Sequence, residues 1–300
     1  MQKEKNRVLT ILYLLIALLC VVLLGVVFTW MVKQKEKPII NYNSISSLEE
    51  EFAMTHQVIE QRMLIHNIPV IVYFMDDGTK KPLILLQHGL TSKKEDLRDL
   101  ALTFAKNGYY IVTPDAYGHG ELRNREQITV LESVAKISEN FDVIFNFFEE
   151  SVYVEQNRLC IMGISLGGMS ALEYAATGSK EVKVVVSLCG TPDFETMIDQ
   201  SISYDIFDKG QYIKTSSDTE AVKLKIKRMN PYKNLLQKEQ LKLYLLCKEQ
   251  DEVVPYEGNL KFKNEFSFQE NLEFQQKANQ GHIVEEEDLW EVLEYLKEHL

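Results

Sequence analysis

The chain predicts an α/β fold, a mostly parallel sheet with helices on both faces, and three observations carry that prediction. Strand-like and helix-like runs alternate from about residue 48 to the end. Some strand-like runs are unbroken apolar stretches, such as Leu83-Ile84-Leu85-Leu86, which suits strands covered on both faces. Each cluster able to carry chemistry follows a strand-like run, at the edge where such sheets bind ligands.

The elements follow in order. Residues 68–74 form a β-rich stretch ended by the turn signal Asp76-Asp77-Gly78. Residues 83–87 are a buried strand. A helix follows, with Ser92 and Glu95 at capping-box spacing. Its apolar face is Leu97, Leu100, Ala101, Phe104 and Ala105, and it ends at Asn107-Gly108. Residues 110–113 are the next strand and residues 127–151 a long helix. Strand 158–163, helix 166–176 and strand 182–188 follow. Residues 191–240 break the rhythm and are expected to form a helical cap insertion over the site. Residues 241–247 and 271–275 are strand-like. The last helix starts at Glu285 with Leu289, Leu293, Leu296 and Leu300 on one stripe, and its acidic first turn suits the helix dipole.

The N-terminus reads differently. Residues 8–32 are an almost wholly apolar run, and a helix of roughly 20 residues spans a bilayer core. Lys3, Lys5 and Arg7 precede it, and Lys33, Lys35 and Lys37 follow. No small-residue cleavage signature follows it, so an uncleaved N-terminal transmembrane helix is expected over residues 1–33. Residues 34–47 are then a tether, and residues 48–300 the catalytic domain. The flanking charges tie and do not fix orientation. The domain is expected on the extracytoplasmic side, as with other N-terminal anchors of this kind.

Composition narrows the function. A net charge of −11 and a pI of about 5.2 argue against nucleic acid, which needs a basic footprint. Cys160, Cys189 and Cys247 sit in or beside apolar strands without metal-ligand spacing, and read as inert buried thiols. No metal site, P-loop or dinucleotide fingerprint is present, so no cofactor is expected.

The chemistry centres on Gly163-Ile164-Ser165-Leu166-Gly167-Gly168, a G-x-S-x-G match between a strand and a helix. There the chain must turn sharply, which exposes the serine, and the glycines relieve the crowding. A serine hydroxyl needs a base. Six histidines are available. His282 lies after a strand and before the last helix, where a base is expected. His299 reads as a solvated residue at a frayed helix end, and His56 and His66 as structural or surface groups. The base needs an acid to hold its tautomer. Asp251 follows a strand, with Glu249 and Glu252 as close rivals, and gives the chain order Ser, Asp, His. The oxyanion donors are expected to be the backbone N–H groups of Leu166, after the nucleophile, and of Leu90, in the loop that opens Gln87-His88-Gly89. His88 then shapes that loop rather than acting as a base. His119, in Asp115-Ala116-Tyr117-Gly118-His119-Gly120, belongs to a glycine-rich turn fixed by Asp115.

Together these residues resemble the α/β-hydrolase superfamily, and within it the branch of dienelactone-hydrolase and prolyl-oligopeptidase-like esterases. The resemblance spans roughly residues 60 to 300. It rests on Gln87-His88-Gly89, Asp115 with Gly118-His119-Gly120, Gly163-x-Ser165-x-Gly167-Gly168, Asp251-x-Val253-Val254-Pro255 and Gly281-His282. It implies an α/β-hydrolase fold with an eight-stranded sheet, and hydrolysis of a small-molecule ester or other acyl substrate through an acyl-enzyme. One departure stands out: Cys247-Lys248-Glu249 replaces a stretch that often holds a glycine before the acid. Peptidase, thioesterase, acyltransferase and non-catalytic binding scaffold remain open alternatives on the same pattern.

Overall fold

The computed structural model describes residues 58–123, 130–200, 224 and 228–300. The expected membrane anchor and tether, residues 1–47, lie outside these, as do His56 and most of the expected cap. Among the described residues, no helix is long and apolar enough to cross a membrane.

Eight strands form one sheet: β1 (Val58–Ile65), β2 (Ile68–Met75), β3 (Lys81–Gln87), β4 (Tyr110–Pro114), β5 (Val154–Ile164), β6 (Val184–Leu188), β7 (Lys242–Lys248) and β8 (Leu272–Lys277). Their order is β1-β2-β4-β3-β5-β6-β7-β8. β2 runs antiparallel to both β1 and β4, and every other pairing is parallel. The helices are α1 (Arg98–Lys106), α2 (Val130–Phe147), α3 (Leu166–Thr177), α4 (Phe194–Gln200), α5 (Tyr232–Leu235), α6 (Glu257–Glu265) and α7 (Glu286–His299).

Strand periodicity divides the core into two layers, because successive side chains face opposite ways. Leu83, Leu85, Val112, Ile161, Val185 and Leu245 pack beneath α2, α3 and α6, through residues such as Phe141, Leu172 and Phe262. Ile84, Leu86, Ile111, Met162, Val186 and Leu246 pack against α1 and α7, through Leu100, Phe104, Leu293 and Leu296. The unbroken apolar runs thus fill both layers at once. The apolar face expected for α1 is buried throughout, as is the leucine stripe of α7.

Three details differ from expectation. The Ser92/Glu95 capping box is shifted by one residue: the Lys93 N–H donates to Asp96 Oδ2 at 3.0 Å. Glu95 instead accepts from Arg62 at 2.7 Å. The C-terminus is not frayed, since Leu300 is buried and its N–H donates to the Leu296 carbonyl. The His299 ring lies 4.4 Å from that of Tyr295, centre to centre. Finally, β1 was not anticipated. It pairs with β2 through a two-residue turn in which His66 (φ 46°) and Asn67 (φ 70°) are both left-handed. That geometry matches strand twist and usually recruits glycine.

Of the expected cap, residues 191–240, the two ends and residue 224 are described. Asn230 Oδ1 accepts the Phe194 N–H at 3.3 Å and the Tyr232 N–H at 3.5 Å, and so ties the two ends together.

The chain leaves β3 toward β4 on one side and later returns to β5 on the other. The loops leaving β3 and β5 therefore diverge at the carboxyl edge, where sheets of this kind leave a crevice.

Candidate active site

β5 ends at Ile164 and α3 begins at Leu166, so Ser165 alone makes the turn. It does so at φ 55° and ψ −114°, a conformation that non-glycine residues rarely adopt. The neighbours explain the glycines. A Cβ on Gly163 would lie 2.1 Å from the Gly167 carbonyl carbon, and one on Gly167 would lie 2.3 Å from the Gln87 carbonyl oxygen. The Ser165 N–H donates to the Leu188 carbonyl at 2.7 Å, which holds the strained residue in place.

Three separated residues meet at this turn. Ser165 Oγ lies 2.8 Å from His282 Nε2, and His282 Nδ1 lies 2.7 Å from Asp251 Oδ2. The other oxygen of Asp251 accepts the Val253 and Val254 N–H groups at 2.9 and 2.8 Å. The rivals are elsewhere: Glu249 accepts from the Gln276 amide, and Glu252 is exposed. With its proton on Nδ1, the imidazole donates to Asp251 and presents the Nε2 lone pair to the serine hydroxyl. That is the arrangement a general base needs.

The loop after β3 lies against this turn, as the close approach of Gly167 to Gln87 shows. It holds Leu90, and Leu166 opens α3. His88 is fully buried inside the loop. The Ala116 N–H donates to His88 Nε2 at 2.9 Å, so that nitrogen carries no proton. Nδ1 therefore holds it and donates to the Gly89 carbonyl at 2.7 Å. Burial pushes the imidazole down to about 4, so it stays neutral near pH 7. His88 is a brace between two loops, as its sequence context suggested.

Asp115 is the centre of that brace. It accepts the Lys94 N–H at 3.0 Å, the Glu121 N–H at 2.9 Å and the Lys94 ammonium at 2.7 Å. Burial works against the charged Lys94, yet its hydrogen bonds to Asp115 and Glu121 outweigh it and raise the group above the ordinary lysine range. His119 faces the same turn, its Nδ1 3.0 Å from the Tyr117 carbonyl.

Cys189 adjoins the meeting point, with Sγ within 4.8 Å of the Asp251 carboxylate and the His282 ring. A shared metal would keep nitrogen and oxygen ligands about 3 Å apart or more. His282 Nδ1 and Asp251 Oδ2 stand closer, at hydrogen-bonding distance. Burial, and then the charge of Asp251, push the Cys189 thiol well above its ordinary range. Burial likewise raises Cys160, and raises Cys247 to about 12, so all three domain thiols are held as unreactive S–H groups.

Sequence reasoning missed a third cluster. Lys248, at the end of β7, is wholly buried, and its ammonium donates to Asp288 Oδ2 and Gln280 Oε1, both at 2.6 Å. The one signal in the sequence was the stretch Cys247-Lys248-Glu249, where the family resemblance implies a glycine.

Known proteins show the family and the fold of the chain. The family model described as the prolyl oligopeptidase family matches residues 97–300. The Bacillus subtilis (strain 168) protein named "Putative esterase YitV" is 30% identical over 232 residues, 73% of this chain and 89% of that protein. The Pyrococcus furiosus esterase Pf2001 superposes with a TM-score of 0.58 at 17% identity, over 81% of this chain and 93% of that one. A puromycin-hydrolysing peptidase of Mycobacterium tuberculosis gives 0.66 at 14% identity, over 82% of this chain but 39% of that one. At such identities the two solved structures speak for a shared fold alone.

Proposed function

The chain belongs to the prolyl oligopeptidase family, within the α/β-hydrolase superfamily, and is a serine hydrolase; from that premise we propose that it cleaves carboxylic esters through an acyl-enzyme. The observation that carries the proposal is the unbroken relay from Ser165 through His282 to Asp251, at 2.8 and 2.7 Å.

In this mechanism His282 Nε2 takes the Ser165 proton as Oγ attacks the acyl carbonyl. The Leu166 and Leu90 N–H groups stabilise the resulting oxyanion, a contribution worth about 3 kcal/mol per donor. Asp251 holds the imidazole and stabilises the imidazolium. His282 then gives its proton to the leaving alcohol, and water activated by the same base releases the acid. No step calls for a cofactor. The preference for esters is supported by the esterase name of the relative that the chain matches over most of its length. Peptide cleavage on the same residues is the second reading, favoured by the peptidases within the family.

The residue 8–32 run supports a second part of the proposal, that the enzyme is a single-pass membrane protein; its catalytic domain is proposed to lie outside the cytoplasm by analogy with other N-terminal anchors of this kind. The cap, residues 191–240, would cover the acyl pocket.

Short and long p-nitrophenyl esters, assayed beside matched p-nitroanilides on the full chain in detergent, test the reading. Ester turnover that disappears in Ser165→Ala is expected. Turnover confined to the anilides would favour the peptidase, and turnover that survives in Ser165→Ala would refute the assigned nucleophile. Alkaline extraction of membranes tests the anchor, with the chain expected in the pellet.

A further inference from the structure

A buried lysine is expensive. Taking an ammonium out of water costs several kcal/mol, and an apolar residue of similar size often serves stability equally well. Lys248 is nevertheless wholly buried, and so is its partner Asp288. The location of its bonds suggests what it does.

Lys248 ends β7, three residues before Asp251, and its own carbonyl accepts the Asp251 N–H at 3.2 Å. Gln280 lies two residues before His282, in the loop after β8. Asp288 lies in the first turn of α7, and its Oδ2 also accepts the Glu285 N–H at 2.8 Å, just beyond His282. The Gln280 amide donates onward to Glu285 at 2.9 Å, and the Gln250 N–H donates to the Gln280 carbonyl at 3.0 Å. One ammonium therefore touches both sides of the loop that carries His282, from the strand end that carries Asp251.

We propose that Lys248, with Gln280 and Asp288, is a positioning group: it fixes the Asp251 loop against the His282 loop and so sets the contact between the acid and the base. The inference rests on the Ser165–His282–Asp251 reading and deepens it. Without the lysine the two loops would be joined, beside the Asp251–His282 contact itself, by neutral bonds: the Gln250 N–H to the Gln280 carbonyl, the Glu249 N–H to the Lys277 carbonyl and the Gln250 amide to Asn279. Lys248 supplies a charged cross-link instead, and charged hydrogen bonds are roughly twice as strong as neutral ones.

The test compares four forms of the full chain in detergent: wild type, Gln280→Leu, Lys248→Met, and the double variant Lys248→Met/Asp288→Leu. Each is measured for kcat and KM on a p-nitrophenyl ester, for its rate of labelling by a fluorophosphonate, and for Tm. Gln280→Leu keeps the buried ion pair and cuts the tether from Lys248 to the His282 loop, together with the bond from the Gln280 amide to Glu285. It is expected to lower kcat by about 10- to 100-fold with KM within about twofold, since small misplacements carry penalties of that size. Labelling should slow in proportion, while Tm falls by no more than about 3 °C. Lys248→Met leaves Asp288 buried and unpaired, and should lower Tm by about 10 °C. The double variant should regain part of that Tm, less the contribution of the α7 cap bond from the Glu285 N–H to Asp288, without regaining kcat. Wild-type kcat in Gln280→Leu, or recovery of kcat together with Tm in the double variant, would overturn the inference and leave the cluster purely structural. A wild type that neither labels nor turns over ester would remove the hydrolase reading itself, and the inference with it.

Discussion

The two sides of the site are built in opposite ways. On the side of the β3 and β4 loops, side chains hold backbone. Asp115 accepts two main-chain N–H groups and the Lys94 ammonium, and His88 bridges the Ala116 N–H and the Gly89 carbonyl. On the side of the β7 and β8 loops, backbone holds side chains. The Val253 and Val254 N–H groups aim Asp251, and Asp251 aims His282. The difference follows from what each side is proposed to present. An oxyanion hole offers main-chain N–H groups, so its buried side chains are spent on loop shape. An acid–base relay offers side chains, so its loop backbone is spent on aiming them. Substitutions on the first side should therefore cost chiefly stability, and substitutions in the Asp251–His282 relay chiefly rate, the buried Lys248–Asp288 pair being the part of the second side whose loss costs stability as well.

The largest effect should fall on the second side. Asp251→Asn is expected to lower kcat by about 10⁴-fold, because the amide favours the wrong imidazole tautomer, with Tm nearly unchanged. Glu249→Gln and Glu252→Gln should stay within about twofold of wild type. Comparable losses in either would move the acid assignment. Ester kinetics and thermal melts on the same preparations check both points.

Asp115→Asn breaks the comparison from the other side. It weakens a buried ion pair and leaves the Lys94 ammonium with Glu121, which is exposed, and Glu95, which is partly buried. A loss of about 3–5 kcal/mol of stability is expected, as for other buried pairs that lose one member. Activity per folded molecule should fall far less than in Asp251→Asn. Denaturant melts with active-site titration would separate the two quantities.

A smaller effect concerns pH. His88 is pushed down to about 4 by burial, against about 6.5 when unfolded. Between those values the unfolded chain binds a proton that the folded chain does not, so stability rises with pH. The contribution is complete above about pH 6.5 and is lost progressively toward pH 4, to a total of about 3 kcal/mol. His88→Gln should be less stable at pH 7, and its stability should vary less with pH across that window. An equal slope in both proteins would show that His88 is not buried neutral.

The same contrast explains what the sequence made legible. Ser165 announces itself because its turn forces glycines at fixed spacing, and Asp251 and His282 follow from chain order after recognisable strands. The parallel core strands were visible because both of their faces are apolar. β1 was not visible, since most of its side chains are exposed and His66-Asn67 makes its turn without a glycine. The capping box slipped by one because Ser92, Lys93, Glu95 and Asp96 offer two overlapping registers. Lys248 was hidden for a deeper reason. A lysine at a strand end reads as solvated, and its partners lie 32 and 40 residues away, so no local pattern reports the burial.

The central claim is that Ser165, driven by His282, forms the acyl-enzyme, and one measurement bears on it most directly. The full chain is treated with a fluorophosphonate, digested and mapped by mass spectrometry, beside Ser165→Ala and His282→Ala. A single adduct is expected on the peptide that contains Ser165, absent in Ser165→Ala and strongly slowed in His282→Ala. An adduct on another residue, or none on a folded wild-type chain, would contradict it.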